Sequence, residues 1–363
     1  MGVSTATATG GPMMEIEYRP RDPVTYRPRI ALIGCGGITQ HHLTAYRAAG
    51  YDVVTLCDVD IARAQARRDA FYPAAQVTTD VHTVLRDPTI AVVDIATHPA
   101  ERVWLIEAAL RAGKHVLSQK PFVLDLADGE RLIALAAEAG VQLAVNQNGR
   151  WAPHVAYMRA AIANGVIGTV SSVDMTVQWD HNWVVGTPFD AIDDLLLYDF
   201  AIHWFDMLTC YFPGQQAVGV SARVVTSGQQ TARPPLLGHV IVEYPNAVAT
   251  LSFNADTRFG GSDRTVIVGS TGTLLSIGPS ITTQSVTVTT AAGVSTPTLQ
   301  GAWFPDGFHG TMGELLCAIE QGRAPSHSAT DTMRSLELCF AAIASSRSGE
   351  RVTPGSIRSL SPH

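Results

Sequence analysis

A glycine-rich turn set between an apolar run and a helical pattern constrains this chain more than any other feature. Ile30–Ile33 is a short apolar run, Gly34-Cys35-Gly36-Gly37-Ile38-Thr39 comes directly after it, and Gln40–Ala49 then reads as a helix ending at Gly50. The alternation repeats. Val53–Cys57 precedes a helix over Ile61–Ala70, and Ala91–Ala96 precedes one over Ala100–Arg111 stopped by Gly113. His115–Leu117 precedes a helix over Leu126–Ala139 stopped by Gly140, and Val141–Val145 closes the series. Strands that are apolar throughout, alternating with helices of which three end at a glycine, predict a parallel, doubly wound sheet with helices on both faces.

The character changes near residue 150. His154–Asn164 reads as a helix, and period-two strands come after it at Thr169–Trp179, Val218–Val225, Gly238–Tyr244, Val248–Asn254, Thr265–Gly269 and Gln284–Thr289. Alternation implies one covered and one free face, as in an open, mostly antiparallel sheet. Ala291–Pro297 reads as a short polar loop. Two helices close the chain, one with Thr311 and Glu314 as a capping box and Gly322 as its stop, the other from about Thr332 to Ser346. The expected organisation of the 363 residues is a flexible N-terminal extension over 1–28, a doubly wound α/β domain over 29–150, and an α/β domain with a large open sheet over 151–363.

Glycines directly after a strand let backbone N–H groups approach a pyrophosphate, which the positive end of the next helix favours. Asp58 ends the second strand, where an acid can accept both ribose hydroxyls of adenosine and would repel a 2′-phosphate. Strand, turn, helix, strand and acid in that order predict a Rossmann domain holding a dinucleotide, NAD in preference to NADP, with Gly34, Cys35, Gly36, Gly37, Ile38 and Asp58 as its contacts. Thr39 stands where the fingerprint has Gly or Ala. Arg63 lies close enough to soften the repulsion of a 2′-phosphate, and capping of the next turn is the other reading of Asp58.

Two further constellations carry chemistry. Gln119-Lys120-Pro121 comes after the fifth strand, at the strand end where ligands of open sheets sit, and Pro121 fixes an extended presentation of Lys120. Asp199, His203 and Asp206 are spaced to share a helix face, where a carboxylate can orient an imidazole for acid–base work. A core histidine, or a metal ligand with Asp199, are the other readings of His203; no HxxxH or HExxH pattern accompanies it, and no metal site is expected. On the substrate side, the run from Gln178 to Trp183 mixes aromatic and polar groups as a sugar site does, with Trp183 as a pocket wall. Asn148, Arg150 and Trp151 come after the last parallel strand and are expected to flank the cleft, Arg150 either binding a carboxylate or phosphate or forming a structural salt bridge. Thr97 and His98 are expected at the nicotinamide ribose, with Gln119 beside it.

Composition narrows the class. Hydrophobic residues are 46% and charged residues 16% of the chain, which excludes a disordered protein. A formal charge of −7 argues against a nucleic-acid binder. Five scattered cysteines without a CxxC pair suit a reducing cytoplasm, and no apolar run approaches a membrane span.

In order along residues 29–355, the sequence resembles the glucose–fructose oxidoreductase / inositol dehydrogenase / MocA (Gfo/Idh/MocA) family. The features are Gly34-x-Gly36, Asp58, Ala96-Thr97, Ala112-Gly113-Lys114-His115-Val116, Lys120-Pro121, Arg150-Trp151-x-Pro153, Gly165-x-Ile167-Gly168, Asp199-x-x-x-His203-x-x-Asp206 and Gly269-Ser270-Thr271-Gly272-Thr273. The resemblance implies an NAD(P)-dependent oxidoreductase acting on a sugar, inositol or related polyol. It implies Lys120, Asp199 and His203 as the catalytic trio, all three touching substrate, with His203 as the base. Three positions depart from the pattern: Gln119 replaces a glutamate, Arg102 a histidine, and Asp193-Asp194-Leu195-Leu196-Leu197-Tyr198 a glycine run. A redox-neutral enzyme with tightly held NAD and a non-catalytic dinucleotide-binding protein are the alternatives. An open sheet face further implies a homo-oligomer, dimer or tetramer, formed through the C-terminal sheet.

Overall fold

The computed structural model describes residues 16–360. The first half forms β1 (Arg29–Ile33), α1 (Thr39–Ala48), β2 (Asp52–Cys57), α2 (Ile61–Phe71), β3 (Gln76–Thr78), α3 (Val81–Arg86), β4 (Ile90–Ile95), α4 (Pro99–Arg111), β5 (His115–Gln119), α5 (Leu126–Ala139) and β6 (Leu143–Asn146). The sheet is parallel, in the order β3-β2-β1-β4-β5-β6. The order reverses between β1 and β4, which opens a crevice at their carboxyl ends. The central strands are enclosed on both faces: β4 is buried at five of its six positions, which is why its sequence reads as an apolar run instead of alternating.

The second half adds α6 (Pro153–Ala163), β7 (Val170–Gln178), α7 (Ile202–Tyr211), β8 (Gly219–Val225), β9 (Leu237–Tyr244), β10 (Ala247–Asn254), β11 (Ser262–Gly269), β12 (Gly272–Ser280), β13 (Thr283–Thr290), β14 (Gly293–Ser295), α8 (Trp303–Glu320) and α9 (Ala329–Ser348). Its sheet runs β14-β13-β12-β11-β7-β10-β9-β8, antiparallel except where β7 meets β10. Val173, Met175 and Val177 of β7 point inward, where α7 packs against their strand and α9 against β8. Ser172, Asp174 and Thr176 face the other way. Among the described residues no helix is long and apolar enough to cross a membrane.

Several expectations change. The loop over 291–297 contains β14, an edge strand held by Val288↔Ser295 and its neighbours. β12 lies between breakers that hide it, Gly272 at its start and Gly278-Pro279 near its end. Thr311 and Glu314 form no capping box, because α8 begins eight residues earlier, at Trp303. Its glycines mark close packing: a side chain at Gly307 would meet the Asn148 carbonyl at 2.7 Å, and one at Gly310 would run into Trp151. Helix α8 also crosses back to the first sheet, where Phe308, Met312, Leu315 and Leu316 share a core with Leu32, Leu43 and Tyr46. Residues 16–28, expected to be flexible, are anchored instead. Ile16 joins the core, and the Glu320 carboxylate accepts from the backbone N–H groups of Val24, Thr25 and Tyr26 at 2.6–2.8 Å. Residues 1–15 lie outside the described residues.

Burial also sets an acid limit. It holds His154 and His327 neutral, with pKa values pushed down to about 3. Unfolding returns both to ~6.5, so below that pH the unfolded chain binds more protons and the fold loses about 1.4 kcal/mol per pH unit for each histidine. We expect the thermal midpoint to fall by several degrees between pH 7 and pH 5; a midpoint unchanged over that range would contradict the buried neutral imidazoles.

Candidate active site

The glycine turn is shaped by the approach of β1 to β4. Gly34 has φ +89°, and a side chain there would meet the Ala96 carbonyl at 2.8 Å. Added atoms at Gly36 and Gly37 would meet nothing within 4 Å, so the turn presents bare backbone to open space. The Cys35 N–H donates to Asp58 Oδ2 at 2.6 Å, and Asp58 Oδ1 accepts from the Asp60 N–H at 2.9 Å. Asp58 thus fixes the glycine turn and also caps the turn leading into α2, and each of its oxygens keeps capacity for a further donor. Thr39 is accommodated because its hydroxyl folds back onto the Gly36 carbonyl at 2.7 Å. The cation near the turn is Arg67, which donates to the Gly36 carbonyl at 2.8 Å, whereas Arg63 pairs with Asp60 in solvent. An open backbone cradle at a helix start, beside a carboxylate at the end of β2, fits a dinucleotide with free ribose hydroxyls.

Arg102 ties the next two loops together. Its buried guanidinium donates to the carbonyls of Thr97, Gln119 and Pro121, so the ends of β4 and β5 share one clamp. Burial draws its pKa down to about 10, which leaves it charged at neutral pH. Gln119 is buried, and its Oε1 accepts from the Lys120 N–H at 2.9 Å. His98 stands exposed at the rim, 6.5 Å from the Phe189 ring.

Lys120 reaches across to the second half. Its Nζ donates to the Asp199 backbone carbonyl at 2.8 Å and to Oδ1 at 3.1 Å. The stretch Leu196–Phe200 is a π-helical turn, not the start of a uniform helix. Asp199 and Asp206 therefore do not act together: Asp199 meets Lys120, while Asp206 lies buried against Arg150. His203 sits between Trp204 and Trp303, the latter edge-on at 5.5 Å. Its Nδ1 is buried without a hydrogen-bond partner. Burial, reinforced by the Lys120 charge, holds its pKa well below the usual imidazole value, so the ring is neutral at pH 7.

A second imidazole, His181, belongs to the same cluster and was not singled out from the sequence. Both of its ring nitrogens are buried without a partner, and Asp199 and Lys120 both act on it electrostatically. Burial is the larger influence and lowers its pKa to about 4. Trp179 and Phe200, stacked at 5.0 Å, flank the ring, and Trp183 meets it edge-on at 4.9 Å. Asn182 pins the turn: its amide donates to Asp180 and Asp256 and accepts from the N–H groups of Thr231 and Ala232. Trp183 remains half exposed and touches Phe189. Sequence offered one signal, a histidine at the end of an aromatic strand.

The three residues after β6 are turned inward. Asn148 Oδ1 accepts from Trp303 Nε1 at 2.7 Å, so it supports the wall of His203. Arg150 forms a bidentate pair with Asp206, 2.6 Å at both contacts, and a further one with Asp331 at 2.7 Å. Trp151 is buried, with its face under Arg159 and His327 edge-on at 5.0 Å. All three are buried and engaged inside the protein, Asn148 through its oxygen, Arg150 through its whole guanidinium and Trp151 through its ring. Replacing Arg150 by Ala strands a buried carboxylate, and we expect a loss of about 3–5 kcal/mol in denaturant titration with NAD affinity preserved in the folded fraction. A variant as stable as the parent would return Arg150 to the cleft.

Residues 28–147 match the family described as an oxidoreductase family with an NAD-binding Rossmann fold, and residues 155–275 match the GFO/IDH/MocA C-terminal domain. The D-apiose dehydrogenase of Paraburkholderia graminis is 28% identical over 359 residues, covering 92% of this chain and 91% of the relative. The inositol 2-dehydrogenase of Rhizobium meliloti is 25% identical over 327 residues, covering 87% and 96%. An oxidoreductase from Agrobacterium radiobacter, solved with NAD+, L-tartaric acid and magnesium, shares the fold with a TM-score of 0.81 at 21% identity, over 91% of this chain and 99% of that one. Both halves match in order and the crevice is built for the cofactor: the chain is an NAD-binding oxidoreductase of the Gfo/Idh/MocA family.

Proposed function

We propose that the protein is a dehydrogenase or reductase that moves a hydride between NAD and a hydroxyl-bearing carbon of a sugar, inositol or related polyol, with His203 as the general base. The observation that carries this reading is the Lys120–Asp199 pair at the crevice with two neutral imidazoles beside it, both keeping unpartnered nitrogens. Bound NAD would supply the hydride acceptor or donor at its nicotinamide ring. In oxidation, His203 takes the hydroxyl proton as the hydride departs, a role that needs a neutral ring. Lys120, steadied by Asp199, holds the same oxygen by charge-assisted hydrogen bonding. His181 offers one donor and one acceptor to neighbouring hydroxyls, and Trp183 offers an aromatic face to ring C–H groups. Lys120 is neutralised by Asp199 and Arg150 by Asp206, so an uncharged polyol suits these residues better than a phosphorylated sugar. Relatives named D-apiose dehydrogenase and inositol 2-dehydrogenase support that class.

His203→Ala should lower kcat by ~10²–10⁴ with NAD affinity nearly intact. His181→Phe should chiefly raise KM for the polyol. Net absorbance at 340 nm with a panel of polyols reads both; unaltered turnover in His203→Ala refutes its role. Substrate conversion without net NADH formation would select the redox-neutral alternative.

The open sheet face supports a homo-oligomer, dimer or tetramer. Ile241 of β9, Val248 of β10, Val268 of β11 and Ile277 of β12 stand exposed on it. An uncovered sheet face carrying apolar side chains on four adjacent or near-adjacent strands is suited to association. Light scattering should give a multiple of 38.7 kDa, and a monomer mass at micromolar concentration would refute it.

A further inference from the structure

A cavity of about 510 Å³ lies where the N-terminal segment meets α6, the end of α7 and the start of α9. Its size falls in the range of small-molecule sites. None of the glycine turn, Lys120, His181, Asp199 or His203 lines it, so it is separate from the crevice.

Its lining is unbalanced in charge. Beside Arg150, whose charge Asp206 neutralises, four guanidinium groups, those of Arg19, Arg21, Arg159 and Arg334, face three carboxylates, those of Glu17, Glu314 and Asp331. Two of the carboxylates are already engaged. Asp331 pairs with Arg150 and Arg334, and Glu314 with Arg323 outside the lining. Arg19, Arg21 and Arg159 have no carboxylate partner among the described residues. Arg19 donates to the Gln300 amide oxygen at 3.2 Å. Arg159 is half buried, lies over the Trp151 ring at 5.4 Å and gives one N–H to the Arg150 carbonyl at 2.6 Å. That arrangement fixes a planar fork of donors before any ligand arrives, and it leaves other N–H groups unspent. Planar forks of this kind match the paired oxygens of carboxylates and phosphates.

We propose that this cavity binds a small oxyanion carrying two negative charges, a dicarboxylate or a phosphate ester, held by Arg159 on its Trp151 platform and by Arg19 and Arg21 from the N-terminal segment. The ligand bridges residues 17–21 to α6.

The test uses the full chain saturated with NAD, which occupies the glycine turn. Inorganic phosphate in one arm and succinate in the other are titrated at ionic strength held constant with sodium chloride, and the thermal midpoint is read. We expect a saturable rise, with the stronger arm identifying the oxyanion. Arg159→Gln and Arg21→Gln should each weaken the apparent affinity about tenfold or more, as loss of a charge-assisted hydrogen bond does. Neither change should alter NAD affinity. Arg21 is exposed and supports no core packing, so its variant keeps the test valid if Arg159→Gln folds poorly. A rise that does not saturate in either arm, or one equal in the parent and the Arg21→Gln variant, overturns the proposal.

Discussion

A guanidinium taken out of water must be surrounded by acceptors, and two such groups, Arg102 and Arg150, fix the working geometry of this molecule. Arg102 gathers three carbonyls from the ends of β4 and β5, so the two loops that border the crevice cannot move apart independently. Arg150 stands at the seam between the halves, with Asp206 of α7 on one side and Asp331 of α9 on the other. Each is worth little as a net source of stability against a well-packed apolar substitute. Their contribution is position, because a buried ion tolerates few arrangements of its partners.

The candidate site inverts that logic. There the buried polar atoms are left unmatched: Nδ1 of His203, both nitrogens of His181 and the Thr97 hydroxyl. Most buried polar groups in folded proteins have partners, and exceptions call for an explanation. Two uncharged imidazoles beside a lysine–carboxylate pair form a polar pocket with capacity to spare, walled by Trp183 and Trp303. Around it, Asn182 spends both ends of its amide holding the turn of His181, and the Asn148 oxygen holds the wall of His203.

Local geometry explains how much of this was legible in the sequence. The glycine turn, the acid at the end of β2 and the alternation of β7 are consequences of backbone conformation over a few residues, and they read correctly. Partnerships over long separations did not. The sequence leaves Arg150 open between a ligand contact and a structural ion pair, because its counter-ions lie 56 and 181 positions away. The helical spacing of Asp199, His203 and Asp206 suggested one face, and a π-helical turn divided them. Strand β12 and edge strand β14 were hidden by Gly, Ser and Thr, whose strand signal is weak without the neighbouring strand to pair with. Arg102 stood out only as a departure from a pattern, with nothing to indicate that it would hold two loops.

The return of α8 to the first sheet bears on how the chain acquires its shape during synthesis. Leu43 and Tyr46 of α1 need Phe308, Met312 and Leu315 to complete their enclosure. A nascent chain that has emerged only through β6 has all the strands of the parallel sheet but leaves one side of it wet. Contacts that distant in sequence are slow to form, and apolar surface stays exposed until they do. The nucleotide-binding half is therefore enclosed only after most of the second half has been made, although it is the first to be made.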